Sequence, residues 1–329
     1  MTVNNVSEKT KASLKTRIIT AAVLAIVAVP GIIFGSWTCF LVILLIGIGS
    51  VFEFTKAPGK KYPIVVYIIA LLGFLSFGFW VFARDVTSID ISSFINNIQM
   101  TDIYISTLGI VVYICALFLV HLASEKVDVK DIAYLFMMTV FVALGLQSTL
   151  FLRYCPTVLY NNVIAPGSDF KYNFFLLEAL LIYYVIGTTL LCDTFAYFTG
   201  ILFGRHKMNP RISPKKTWEG FVGGVVLSSI VSIAFVFICD ALGAPVLKGI
   251  LDIEHWYYVI VLTPLIAVVG VLGDLMFSSI KRYFGVKDFG KILAGHGGLL
   301  DRFDSVLMAV FVFSTIIVFL AHDPFGIGL

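Results

Sequence analysis

Residues 287–305, KDFGKILAGHGGLLDRFDS, place three aspartates, one histidine, four glycines and three cationic side chains in a short connector that runs into an apolar segment. A connector that only joins two helices needs far less, so this one is equipped to hold something charged. The apolar run before it ends in GDLMFSSIKRYFG, residues 273–285. There Asp274, Ser278 and Lys281 are spaced i, i+4, i+7 and share one helical face. Lys281 and Arg282 are ordinary for a helix end that reaches toward water, but Asp274 lies nearly two turns deeper. On the far side, Asp301, Asp304 and Ser305 share a face by i, i+3, i+4 spacing. Carboxylates converging from facing helix ends repel each other unless a cation binds between them. Hard oxygen donors without thiolates or paired histidines suit Mg²⁺, which commonly takes one or two carboxylates plus substrate phosphates. Lys281, Arg282, Lys287 and Arg302 would hold the remaining phosphate charge, with Asp288 and Asp304 positioning those cations or ligating the metal. Gly297 and Gly298 permit close backbone approach to a ligand. His296 is either an acid–base group or a residue that fixes the backbone.

A second cluster lies upstream in LCDTFAYFTGILFGRHKMNPRISPKKTWEG, residues 191–220. Asp193 sits about two turns before the end of an apolar helix. Facing lipid at mid-depth it would cost about 2.5–3.5 kcal/mol on insertion scales, so it faces protein or water. SPKKTWEG reads as a turn and a helix start, with Thr217 as N-cap and Glu219 in the first turn. Lys215 and Lys216 beside that helix N-terminus make a phosphate site, although basic residues at such an end are also what membrane topology requires.

The elements that must position these residues are spans. The chain has 329 residues, 59% hydrophobic and 13% charged, against about 45–50% and 25% in soluble domains. That apolar surplus faces lipid, which makes the chain an all-α polytopic membrane protein. Apolar runs near 18–35, 37–54, 63–83, 103–121, 132–152, 174–199, 219–239, 256–280 and 303–321 give about nine transmembrane helices. The first two are separated by little more than Gly35 and Ser36, so they are two spans or one long kinked element. Cys39, Cys115, Cys155, Cys192 and Cys239 form no ligand-spaced cluster, which argues against a structural zinc site or a disulfide framework. No repeat or low-complexity segment stands out. The polar stretch to Arg17 and the apolar run after it read as a cytosolic tail and a retained first span.

With the N-terminus in the cytosol, nineteen of the 23 Lys and Arg fall on the cytosolic side, leaving Arg84, Arg153, Lys171 and Lys248 opposite. One misplaced span in mid-chain would scramble that bias. Both basic connectors, 200–218 and 281–302, then face the cytosol as catalytic loops. The division is N-terminal spans over 1–172 and a catalytic transmembrane region over 173–329.

The run SSIKRYFGVKDFGKILAGHGGLLDRFD, Ser278 to Asp304, resembles the signature of the phosphatidate cytidylyltransferase (CDP-diacylglycerol synthase) family. CDTFAYFTGILFGRH and SPKKTWEG resemble that family too, in the right order, so the specific likeness covers about the last 140 residues. It implies that CTP and phosphatidate become CDP-diacylglycerol and pyrophosphate with a divalent metal, Mg²⁺ or another. It also implies that Asp274 and Asp301 form the metal centre, and that the enzyme is a multi-pass protein of the cell membrane serving phospholipid biosynthesis. The partners are CTP, phosphatidate and the bilayer; nucleic acid is not among them, and a homo-oligomer is compatible. Two departures stand out: Phe277 replaces a glutamate of many bacterial members, and Ala294 replaces the proline most have before GHGG. The rival readings are another CTP-dependent lipid enzyme, such as a polyprenol kinase or a cytidylyltransferase for a different lipid, and a secondary transporter coupling ions through Glu178, Asp193 and Asp274.

Overall fold

The computed structural model describes residues 26, 30–78, 100–165, 167–168, 171, 175–293 and 297–321. Eight helices carry the fold: α1 (Ser36–Lys56), α2 (Ile64–Gly78), α3 (Met100–Ala123), α4 (Val129–Leu159), α5 (Leu180–Phe203), α6 (Trp218–Ala241), α7 (Trp256–Tyr283) and α8 (Asp304–Ala321). Six of them, all but α2 and α3, are long and apolar enough to cross a membrane, and α2 and α3 are apolar over shorter stretches. The chain is a multi-pass membrane protein. Of the nine expected spans, the one near 18–35 falls mostly outside the described residues.

Among the described residues the one sheet is a hairpin of β1 (Lys207–Asn209) and β2 (Ser213–Thr217), antiparallel, with Lys207 opposite Thr217 and Asn209 opposite Ser213. The basic segment SPKKT is therefore a strand that leads straight into α6, where a turn was expected. Thr217 caps α6 as its sequence position implies, accepting a hydrogen bond from Gly220 N at 3.1 Å. Such a cap typically contributes about 1 kcal/mol.

Two apolar clusters meet along α4 and α8. One joins α1, α2, α3 and the first part of α4 to Phe277, Phe289, Leu300 and Leu307. The other joins the last part of α4 to α5, α7 and α8. In lipid, tight helix pairs depend on small residues and buried hydroxyls more than on apolar burial. Accordingly Gly220 and Gly224 of α6 lie directly against Ala196 of α5. Thr188 donates to Ser232 at 2.9 Å, Tyr184 and Thr263 share a hydrogen bond of 2.6 Å, and Ser314 of α8 donates to Ser148 of α4 at 3.0 Å. At the α1–α2 turn, Lys60 reaches Asp128 and Asp131, both at 2.8 Å, hydrogen bonds that push its pKa up. The outer faces of α1, α3 and α5 expose Leu45, Leu119 and Leu202, as lipid contact requires.

The junction of the first two expected spans is a break. Residues 30–34 are helical, Gly35 has φ 62°, and α1 starts at Ser36. The break deprives the preceding carbonyls of helical donors, and Arg153 of α4 supplies them. Its Nε donates to Ile32 O at 2.6 Å and its Nη2 to Ile33 O at 3.1 Å. Arg153 is only 2% exposed, and its charge is answered by Glu178 at 3.7 Å. A Cβ at Gly35 would lie 2.6 Å from Arg153 Nη2, whereas one at Gly59, also at positive φ, would meet nothing within 4 Å. Both Gly35→Ala and Gly59→Ala carry a positive-φ backbone cost, of about 1–2 kcal/mol in the left-handed region and about 1–3 kcal/mol at Gly35, whose ψ of −153° lies in a region essentially reserved for glycine. Gly35→Ala is expected to lower the unfolding temperature in detergent further, because it also displaces the guanidinium. Equal losses would show that the Arg153 contact contributes nothing.

Candidate active site

The two sequence clusters meet. The hairpin delivers Lys216 to the face of α7, where its Nζ lies 2.6 Å from Asp274 Oδ2, a contact made on charge, without hydrogen-bond alignment. Asp274 is held from its other side by Ser278 Oγ, which donates to Oδ1 at 3.1 Å, as the i, i+4 spacing requires. One further turn along the same face, Lys281 turns inward. It is 6% exposed, donates to Asp301 Oδ1 at 2.8 Å and Asp304 Oδ2 at 3.3 Å, and is an electrostatic neighbour of Asp274. Ser305 Oγ donates to Asp193 Oδ2 at 3.3 Å, which ties α5 to the start of α8.

These groups border a cavity of about 630 Å³ lined by Asp193, Tyr197, Lys207, Lys215, Lys216, Thr217, Phe221 and Asp274, among others. Its size is in the range of small-molecule sites. Its lining also includes the apolar side chains of Ile201 and Val271 beside Tyr197 and Phe221. Asp193 is open to it, and Lys215 is exposed beside Lys216. Lys281, Asp301 and Asp304 are buried behind Asp274.

The donor set fits a hard divalent cation. Asp193, Asp274, Asp301 and Asp304 gather around the two ammonium groups of Lys216 and Lys281, leaving carboxylate charge in excess. Among the described residues no three carboxylate, imidazole or thiol groups form a cage for a metal by themselves. A magnesium ion would need only one or two of these carboxylates, its shell being completed by water and phosphate oxygens. Asp274 and Asp301 approach this group differently. Asp274 faces the cavity. Asp301 Oδ2 accepts hydrogen bonds from Phe289 N at 2.9 Å and Gly298 N at 3.0 Å, which leaves Oδ1 to Lys281.

Other residues expected at the site are arranged around its edge. Arg282 is engaged with backbone: Nε donates to Ile212 O at 3.2 Å and Nη1 to Val286 O at 2.9 Å, so it fastens the hairpin loop to the end of α7. Lys287 and Arg302 are exposed on the connector, and Asp288 lies beside Gly297, which has φ 88°. Gly298 packs against Asp301, and His296 lies outside the described residues. Phe277 is fully buried in the α1–α4 cluster, edge-on to Phe289, so its side chain supports the connector apolarly. Glu178, grouped with Asp193 and Asp274 in the transporter reading, instead accepts from Thr157 at 3.3 Å and faces Arg153.

Glu53 also belongs to this region, although no spacing pattern in the sequence marks it. It projects from α1 into the connector, accepting from Leu299 N at 2.8 Å and Leu300 N at 2.9 Å, and is 3% exposed. A signal was present: a carboxylate inside an apolar span, the same feature that marked Asp193 and Asp274.

Comparison with known proteins matches residues 15–320 to the model of the cytidylyltransferase family. The phosphatidate cytidylyltransferase of Staphylococcus haemolyticus is 30% identical over 297 residues, which is 90% of this chain and 96% of that protein. That of Staphylococcus saprophyticus gives the same identity and coverage. The phosphatidate cytidylyltransferase of Staphylococcus aureus is 45% identical over 120 residues, 36% of this chain and 42% of that protein. With nearly its whole length matched, and with acidic and basic residues from separate segments gathered at one cavity, the chain belongs to the cytidylyltransferase family.

Proposed function

We propose that this protein is a phosphatidate cytidylyltransferase, which forms CDP-diacylglycerol and pyrophosphate from CTP and phosphatidate. The observation that carries the reading is the Lys216–Asp274 pair at a cavity whose lining combines lysines and aspartates with apolar side chains. Such a cavity suits a polyphosphate meeting a lipid. Near-full-length relatives bearing that name support the substrate choice, because charge and spacing alone would suit any nucleoside triphosphate.

An oxygen of the phosphatidate phosphate forms a bond to the α-phosphorus of CTP as the bond to the bridging oxygen of the β-phosphate breaks. The electron pair leaves with pyrophosphate. The nucleophile is already an anion, so the protein contributes position and charge neutralisation rather than a strong base. Lys215 and Lys216, with the N-terminus of α6 behind them, hold the triphosphate. Lys281 keeps Asp301 and Asp304 close despite their mutual repulsion. Asp274 and Asp301 would hold Mg²⁺, which supplies neutralisation of phosphate charge when bound. The spans after residue 173 carry this machinery, and Glu53 reaches it from the first 172 residues. The charge bias of the connectors supports a cytosolic N-terminus and a cytosolic site, where CTP is available.

Purified protein given phosphatidate, CTP and Mg²⁺ is expected to release CDP-diacylglycerol and pyrophosphate, with no turnover when ATP replaces CTP. Equal turnover with ATP, or with a polyprenol in place of phosphatidate, would end the assignment.

Asp274→Asn and Asp301→Asn each remove charge with almost no change in volume. Each is expected to lose at least the 10–100-fold typical of weakened metal support while staying inserted and monodisperse. The double variant should be little worse than either single one, since groups serving one centre are not additive. More than half the wild-type rate at limiting Mg²⁺ would remove the altered aspartate from the metal centre.

Orientation is checked with single cysteines, Asp323→Cys or Lys207→Cys, after replacing the five native ones. An impermeant thiol reagent on intact cells should label position 323 and spare 207. The opposite pattern would invert the topology.

A further inference from the structure

We infer that Glu53 is a positioning residue for the reaction: from α1 it locks the backbone of the 297–302 connector so that Asp301 presents one carboxylate oxygen to Lys281. This rests on the reading of Asp301 as part of the active site. Its two oxygens are both used. Leu299 N donates to one and Leu300 N to the other, at 2.8 and 2.9 Å. Those amides open the short 3₁₀ turn Leu300–Arg302 and have no carbonyl of that turn to bond. The carboxylate of a distant helix therefore caps the turn that carries Asp301.

The neighbouring amides complete the lock. Phe289 N and Gly298 N donate to Asp301 Oδ2, and Lys281 takes Oδ1. The Glu53 and Asp301 carboxylates thus divide between them the three successive amides of Gly298, Leu299 and Leu300, and Asp301 also takes that of Phe289. Their closeness is possible only because Gly298 separates them: a Cβ there would sit 2.6 Å from Glu53 Oε2 and 2.7 Å from Asp301 Oδ2. Gly290 makes the same room on the other side of Glu53.

A purely scaffolding contact would not need a charge. A buried carboxylate is costly unless its oxygens are satisfied, and an apolar residue would pack α1 at less cost. What the carboxylate supplies is two parallel acceptors for two parallel donors. Glutamine has one acceptor and would turn its NH₂ group against the other backbone N–H. Glu53→Gln therefore keeps the volume and loses the lock. Loosening Asp301 affects how well the site gathers a divalent cation before it affects bond making, so the expected signature is in the metal requirement.

The test compares wild type, Glu53→Gln, Glu53→Asp and Glu178→Gln in detergent. Glu178 supplies the control, a carboxylate of the same bundle paired with Arg153 far along α4. Two quantities are read: the Mg²⁺ concentration for half-maximal CDP-lipid formation, and amide hydrogen exchange of peptides spanning 286–303 without metal or substrate. Glu53→Gln is expected to raise the half-maximal Mg²⁺ about 10-fold or more, to recover much of its rate at saturating Mg²⁺, and to speed exchange at 298–300. Glu53→Asp, which keeps both acceptors on a shorter arm, should fall between it and wild type. Glu178→Gln should lower the unfolding temperature and leave both readouts as in wild type. The inference is overturned if Glu53→Gln keeps wild-type Mg²⁺ dependence and connector exchange, or loses only thermal stability as the control does. Should Glu53→Gln not fold, Glu53→Asp decides alone, and unchanged connector exchange in it overturns the inference. A wild-type protein that makes no CDP-lipid would sink the proposed function, while the exchange measurement would still judge the lock.

Discussion

The arrangement of this protein's polar end turns on one buried ammonium. Lys281 leaves the usual path of a lysine at a helix end, which is outward to water, and lies between the carboxylates of Asp301 and Asp304 with Asp274 nearby. Burying that charge would be prohibitive alone, and burying the aspartates without it would be worse. Each is tolerable only with the others in place. The constraint fixes the end of α7 against the start of α8 and obliges the connector to fold back over them. Carboxylate charge is left over, and a divalent cation with phosphate oxygens is what such a site attracts.

The rest of the bundle serves that constraint by being rigid where lipid offers little cohesion. Helices packed in hydrocarbon gain nothing from hiding apolar surface from other apolar surface, so the structure relies on close glycine contacts and buried hydroxyl pairs. Gly220 and Gly224 bring α6 onto α5, and the cap by Thr217 fixes where α6 begins. Lys216, the residue before that cap, then falls opposite Asp274. At the far end Arg153 plays a comparable part, tying the broken segment before α1 to α4. Since α1 also carries Glu53, the support of the connector extends through the first half of the chain.

Much of the site was legible in local spacing. Asp274, Ser278 and Lys281 at i, i+4, i+7 do lie on one face of α7, with Ser278 bonded to Asp274. Asp304 and Ser305 do open α8 together. Thr217 caps α6 as a threonine ahead of a helix should. These follow from the 3.6-residue period and from capping chemistry, which act over a single turn. Arg282 shows the limit of such reasoning. Adjacent to Lys281 and identical in charge, it points about 100° away around the helix and meets the carbonyls of Ile212 and Val286 instead of the aspartates.

By itself the sequence determined the kind of molecule. Its hydropathy demands lipid, its carboxylates in apolar segments demand partners, and its motif order resembles one family. Those are properties of composition and short-range pattern, and they hold in any packing the spans adopt. Only the tertiary structure decided which charges meet. Lys216 and Asp274 are separated by all of α6 and most of α7, and Glu53 lies 246 residues before the amide it binds at Leu299. No local period carries information across such distances. The pairing is set by which helices pack together, and that is settled by glycine contacts, buried hydroxyls and the cost of leaving a charge unanswered in hydrocarbon.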